Sequence, residues 1–144
     1  MRLAHIMLRV NNLEESISFY KNIFEMKLLK VDENPKYKYT LAFLGYGNDL
    51  NSNTVIELTY NWNQCKYDHG NAFGHLCIEV EDVYQSCEKI KKLGGIVTRD
   101  AGPVKGGTSI IAFIVDPNGY QIELIAKKSR GLKLNSQAIE ISLN

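Results

Sequence analysis

Residues 5–10 read HIMLRV and residues 75–80 read HLCIEV. Each run opens on a histidine and continues as an alternating strand pattern. A second pair of runs answers them: VIELTY at 55–60 and QIELIA at 121–126. At an offset of 70, His5 meets His75, Val10 meets Val80, Ser16 meets Ser86, and Ala42-Phe43 meets Ala112-Phe113. Toward the end of each copy the offset drops to 66, where Ile56-Glu57-Leu58 meets Ile122-Glu123-Leu124. The first copy therefore holds a loop four residues longer, around Gly45 to Asn53. An ordered series of matches like this marks two copies of one unit.

Each copy has the same local grammar. A strand at 3–10 or 74–80 leads into an amphipathic helix. In the first copy the helix stripe is Leu13, Ile17, Tyr20 and Phe24, with Asn11 or Asn12 as cap and Glu14 and Glu15 suited to the helix dipole. In the second copy the stripe is Val83, Cys87 and Ile90, with Asp82 as N-cap and Gly94-Gly95 as the stop. Three strands follow, at 27–31, 39–44 and 54–60, then again at 96–99, 109–115 and 121–126. Gly45-Tyr46-Gly47-Asn48 and Asp116-Pro117-Asn118-Gly119 supply the turns before the last strands. The expected fold is α+β, a β-α-β-β-β module made twice. Module one is 1–60, the linker 61–73 and module two 74–126, all within one domain. Residues 127–144 form a tail that fits no motif; a short helix, an arm over a partner and disorder are all open for it.

Composition narrows the class. A chain of 144 residues with 44% hydrophobic content and a net charge of +1 suits one globular domain. It carries no basic run that would point to nucleic acid or an anionic membrane. Cys65, Cys77 and Cys87 form no C-x-x-C pattern, and their odd number fits reduced thiols in the cytoplasm. No secretory leader or membrane-spanning stretch is expected.

Strand alternation places His5, Met7 and Arg9 opposite Ile6, Leu8 and Val10, and it turns Glu57, His75 and Glu123 the same way, off the apolar face that takes the helices. If each sheet curves, that other face is a cleft lined by imidazoles and carboxylates. Two histidines and two carboxylates form an N/O donor set for a divalent metal and include candidates for a general base. His69 has no counterpart at either offset and reads as a surface histidine.

The segments MRLAHIMLRV, SISFYKNIFEMKLL, ENPKYKYTLAFLGYG, VIELTYNW, GHLCIEVEDV, AGPVKGGT and DPNGYQIELI, spread over residues 1–126, resemble the glyoxalase I (lactoylglutathione lyase) family of the vicinal-oxygen-chelate superfamily, in its short bacterial form. The resemblance implies half-barrel sheets with helices on the outer face. It implies a homodimer whose sites are completed across the subunit interface, with His5 and Glu57 from one chain and His75 and Glu123 from the other as metal ligands. It implies isomerisation of the methylglyoxal–glutathione hemithioacetal to S-D-lactoylglutathione. In that reaction a metal ion stabilises enediolate charge, Glu123 is the principal base and Glu57 shares the proton transfer. Ni²⁺ is the expected ion, because the chain lacks the N-terminal extension of the longer Zn²⁺ type; Co²⁺ and Zn²⁺ accept the same donors. Glutathione is the expected co-substrate. Arg9 and Asn61 match family contacts to the peptide, Arg9 through its carboxylate. The loop 102–108, with Lys105, suits a lid or carboxylate clamp. Glu25 and Asn63 stand where the family commonly has glycine.

Other branches of the superfamily stay in view. Extradiol dioxygenases use two histidines and one carboxylate, so Glu57 as a fourth donor counts against oxygen chemistry. Methylmalonyl-CoA epimerases usually carry Gln at the Glu57 position. Metal-free binding modules lack the full donor set. A structural site would more often recruit cysteine.

Overall fold

The computed structural model describes residues 1–64 and 66–127. Cys65 and residues 128–144, which include nearly all of the unassigned tail, lie outside the described residues. The element order is β1 (His5–Arg9), α1 (Leu13–Phe24), β2 (Lys27–Asn34), β3 (Tyr39–Gly45), β4 (Val55–Asn61), β5 (Leu76–Val80), α2 (Val83–Lys92), β6 (Ile96–Pro103), β7 (Ile110–Val115) and β8 (Gln121–Ala126). This is the expected α+β duplication. The differences lie at the ends. β2 and β6 run several residues longer than their apolar patterns, because antiparallel pairing with β3 and β7 continues through polar residues. Asn61 closes β4 instead of opening the linker.

Two four-stranded sheets have the same order, β1-β4-β3-β2 and β5-β8-β7-β6. In each, the first and last strands of the module run parallel at one side, and the remaining pairs are antiparallel. One helix covers one face of each sheet: α1 packs on β2, β3 and β4, and α2 on β6, β7 and β8. Between helix and sheet lie Leu8, Val10, Tyr20, Ala42, Leu44 and Leu58 in the first module, and Val83, Cys87, Ala112, Ile114, Ile122 and Leu124 in the second. The opposite face of each sheet keeps the histidines and carboxylates.

Local chemistry fixes both helices. Asn12, not Asn11, caps α1 and accepts from the Glu15 N–H at 3.1 Å; Asp82 caps α2 and accepts from the Gln85 N–H at 2.8 Å. Each cap is followed by the repeat-matched serine, Ser16 or Ser86, whose hydroxyl donates to the cap's carbonyl at 2.7 Å. Beyond α1 stands Glu25 at φ 57, the left-handed position that favours glycine. In α2 that conformation falls to Gly94 at φ 82.

The modules are sewn together by the turn 116–120. Asp116, 4% exposed, accepts from the Asn118 and Tyr120 N–H groups at 2.8 and 2.9 Å and from the Tyr20 hydroxyl of α1 at 3.1 Å. Asn118 donates to Ser16 at 2.9 Å and accepts from the Asn11 N–H at 2.8 Å. The hydroxyl of Tyr120 accepts from the Arg9 N–H at 3.2 Å and donates to the Arg9 carbonyl at 3.0 Å. A run that signals only a turn in the sequence is thus also the seam between the two copies.

Candidate active site

Strand register builds the first cluster. β1 and β4 place Met7 beside Glu57 and Arg9 beside Thr59, and β3 places Phe43 beside Glu57. His5 Nε2 lies 3.4 Å from Glu57 Oε2. Thr59, buried on the same face, donates its hydroxyl to the other carboxylate oxygen, Glu57 Oε1, at 3.2 Å. The ring of Phe43 stands edge-on to His5, with centroids 6.3 Å apart at 72°.

The second module repeats the cluster. His75 immediately precedes β5, and its Nε2 is 3.1 Å from Glu123 Oε2. Phe113 pairs with Glu123 in the sheet and meets His75 edge-on at 5.2 Å and 80°. In both clusters the imidazole reaches outward, 46% and 40% exposed, while the carboxylate is set back at 14% and 18%. Ile125 stands where the first copy has Thr59, and Cys77 where it has Met7.

Two ligands on adjacent corners of one ion, each about 2.1 Å from it, are separated by about 3.0 Å in an octahedral shell and about 3.4 Å in a tetrahedral one. Both His–Glu pairs have nearly that spacing, so imidazole nitrogen and carboxylate oxygen are already poised as neighbouring donors. Among the described residues, however, no three His, Cys, Asp or Glu side chains gather where one ion could bind them together. A single chain thus holds two half-sets, one on each sheet.

Arg9 and Asn61 lie on the face of the first cluster, and both touch the linker residue Tyr67. The Arg9 guanidinium stands over the Tyr67 ring, 5.9 Å from its centroid, and Asn61 Nδ2 donates to the Tyr67 hydroxyl at 3.1 Å. Lys105 is exposed in the turn joining β6 and β7, which is closed by the Val104 N–H donating to the Ser109 carbonyl at 2.8 Å. That turn joins the edge strand β6 to β7, on the side of its sheet away from β5, which His75 precedes. His69 is more than a surface residue. It is half-buried and stacks on Tyr120 at 4.2 Å and 17°, beside a cavity of about 320 Å³ that it lines with Phe73, His75, Phe113 and Gln121. A larger cavity of about 820 Å³ lies between the modules among Ile6, Ile56, Leu76 and Ile78. His75 also lines it, but neither Glu57 nor Glu123 does. Asn63 takes the left-handed conformation its glycine-like position demands, at φ 64.

Phe43, Phe113, Thr59 and Tyr67 are residues that sequence reasoning passed over. The first two carry a signal, since they match at the same offset as the histidines. Thr59 and Tyr67 have no repeat partner of their own type.

A family profile described as Glyoxalase/Bleomycin resistance protein/Dioxygenase superfamily matches residues 2–124. The lactoylglutathione lyase of Salmonella typhimurium is 56% identical over 136 residues, covering 94% of this chain and 100% of that protein. A probable lactoylglutathione lyase of Vibrio cholerae is 58% identical, covering 88% of this chain and 91% of its own length. Among solved structures, glyoxalase I from Zea mays superposes with a TM-score of 0.83 at 50% identity, covering 86% of this chain. This chain spans 44% of that longer maize chain. The trypanothione-dependent glyoxalase I of Leishmania major gives a TM-score of 0.79 at 43% identity, covering 90% of this chain and 88% of the other. With a duplicated βαβββ frame, two matched His–Glu pairs and relatives this similar along almost its whole length, the chain belongs to the glyoxalase superfamily and, within it, groups with the lactoylglutathione lyases.

Proposed function

We propose that two chains pair so that His5 and Glu57 of one and His75 and Glu123 of the other surround a single divalent ion. The completed site isomerises the hemithioacetal of methylglyoxal and glutathione to S-D-lactoylglutathione, a detoxification carried out in the cytosol. The observation that carries the pairing is the division of the donors into two half-sets, each already at the spacing of adjacent ligands. A divalent ion held by these four residues supplies Lewis acidity toward the two neighbouring substrate oxygens. These two imidazoles and two carboxylates would hold Ni²⁺, Co²⁺ or Zn²⁺, which accept the same donors; the resemblance to the short bacterial enzymes favours Ni²⁺.

The protein's own work is proton movement and positioning. Glu123 removes the proton from the carbon bearing sulfur, and the electron pair passes to the neighbouring carbonyl oxygen; the proton returns to the adjacent carbon, while the hydroxyl proton on the sulfur-bearing carbon passes to the second oxygen. Glu57 shares this transfer. No atom is gained or lost: a C–H and a C–OH exchange places with a ketone and become a thioester and a secondary alcohol. Phe43 and Phe113 hold the imidazoles edge-on and keep water from that side of each pair. Arg9 receives a carboxylate of the thiol peptide, Asn61 a polar group beside it, and Lys105, on its Gly-rich turn, closes over a second carboxylate.

The test is thioester formation from methylglyoxal and glutathione, using protein stripped of metal and reloaded separately with Ni²⁺, Co²⁺ or Zn²⁺. Turnover with Ni²⁺ and Co²⁺ well above that with Zn²⁺ is expected. The reverse order would replace the metal assignment. Metal binding without turnover with any of the three would overturn the reaction. Trypanothione serves as a second thiol in the same assay, because one structural relative depends on it.

A further inference from the structure

The linker between the modules, residues 62–75, does more than connect them. Its Tyr67 is half-buried and lies between the side chains of Arg9 on β1 and Asn61 at the end of β4. The ring lies under the Arg9 guanidinium at 5.9 Å, and the hydroxyl accepts from Asn61 Nδ2 at 3.1 Å. Arg9 and Asn61 are long or pivoting polar side chains on an open sheet face. Left alone, each would lose several rotatable bonds' worth of entropy on gripping a ligand. A single rigid phenol that touches both removes much of that freedom beforehand. It also sets their spacing, since a cation over a ring and an amide at its hydroxyl are held a fixed ring length apart. The backbone beneath Arg9 is pinned as well, through both its N–H and its carbonyl, by Tyr120. With the main chain already fixed, the ring of Tyr67 acts on where the guanidinium points.

We infer that Tyr67 is a positioning residue: it couples Arg9 and Asn61 into one fork that grips the carboxylate-bearing end of the thiol peptide, and so contributes to the choice of thiol. The inference rests on the proposed role of Arg9 and Asn61 in binding that peptide. Tyr67 touches no reacting atom, so its effect belongs in KM and in the comparison between thiols, while kcat stays within about twofold.

The experiment compares Tyr67→Phe, Tyr67→Leu, Arg9→Ala and the Arg9→Ala/Tyr67→Leu double variant in the nickel-loaded enzyme. Hemithioacetals are made from glutathione and from its diethyl ester, which keeps the amides and lacks free carboxylates. Circular dichroism checks that each variant is folded. For glutathione, KM is expected to rise about tenfold in Tyr67→Leu and less in Tyr67→Phe, which keeps the ring and loses only the hydroxyl. For the ester, wild type and Tyr67→Leu are expected to coincide. The double variant is expected to fall well short of the product of the two single effects, since Tyr67 acts in part through Arg9. If Arg9→Ala raises KM for glutathione and Tyr67→Leu does not, or if Tyr67→Leu lowers kcat for both thiols alike, the Tyr67 assignment is wrong. If Arg9→Ala itself leaves KM unchanged, the underlying peptide-binding role fails first.

Discussion

Glu57 is held by a hydroxyl that its counterpart lacks. Thr59 donates to Glu57 Oε1, whereas the matched position beside Glu123 is Ile125. A carboxylate with one oxygen tied back offers the other in a fixed direction, as a ligand should; a carboxylate with an apolar neighbour is freer to swing, as a base should. Thr59→Val is close to isosteric and removes only the hydroxyl. It is expected to weaken metal affinity about tenfold, by the usual scale for lost outer contacts to ligands, with a smaller effect on kcat. Competition with a chelator measures the first and saturating kinetics the second; an unchanged affinity would show that Thr59 merely fills the face. The two His–Glu pairs were legible because duplication doubles the signal: a histidine at a strand start means little, but the same histidine 70 residues later, each followed by its glutamate, means a great deal. Thr59 and Tyr67 were not legible. They carry no chemistry of their own: Thr59 reaches Glu57 by strand alternation, yet nothing in its type marks the hydroxyl as a partner, and only the fold brings the linker back under Arg9.

At the scale of elements, the seam turn 116–120 carries the clearest expectation. Asp116→Ala strands the Asn118 and Tyr120 N–H groups and the Tyr20 hydroxyl in a buried setting, and should cost about 3 kcal/mol of folding stability, read by urea denaturation. Burial, and then the neighbouring Asp116 carboxylate, push the Tyr20 hydroxyl far above its ordinary value of 10.0. The folded state therefore keeps a proton that the unfolded chain gives up. The resulting stability is complete below about pH 10 and is lost as pH climbs beyond it. Tyr20→Phe should cost some stability at neutral pH yet flatten the alkaline limb of unfolding measured between pH 9 and 11; an equally steep limb would place the alkaline transition elsewhere. Helix and strand identities were readable from periodicity and caps, and their order gave the module. The seam was not readable, because Asp-Pro-Asn-Gly is sufficient as a turn and nothing local tells that its side chains also reach α1.

At the scale of the molecule, a chain with two half-sets of donors needs a partner copy on the proposed arrangement. Mixing two inactive variants tests this directly. His5→Ala spoils one half-set and His75→Ala the other. If sites form between chains, the mixed dimer regains one intact site, and random remixing should restore about a quarter of wild-type activity. If each chain completed its own site, mixing would restore nothing.

On the proposed arrangement, the same division would make the ion a clasp as well as a reagent. A metal held by donors from two chains binds the pair and not the separated copies, so the binding energy is spent on association. Stripping the metal would then loosen the proposed assembly, and specific activity would become a function of how far the protein is diluted. A cell that draws down its supply of the ion would, by mass action, be taking the molecule apart at the same time.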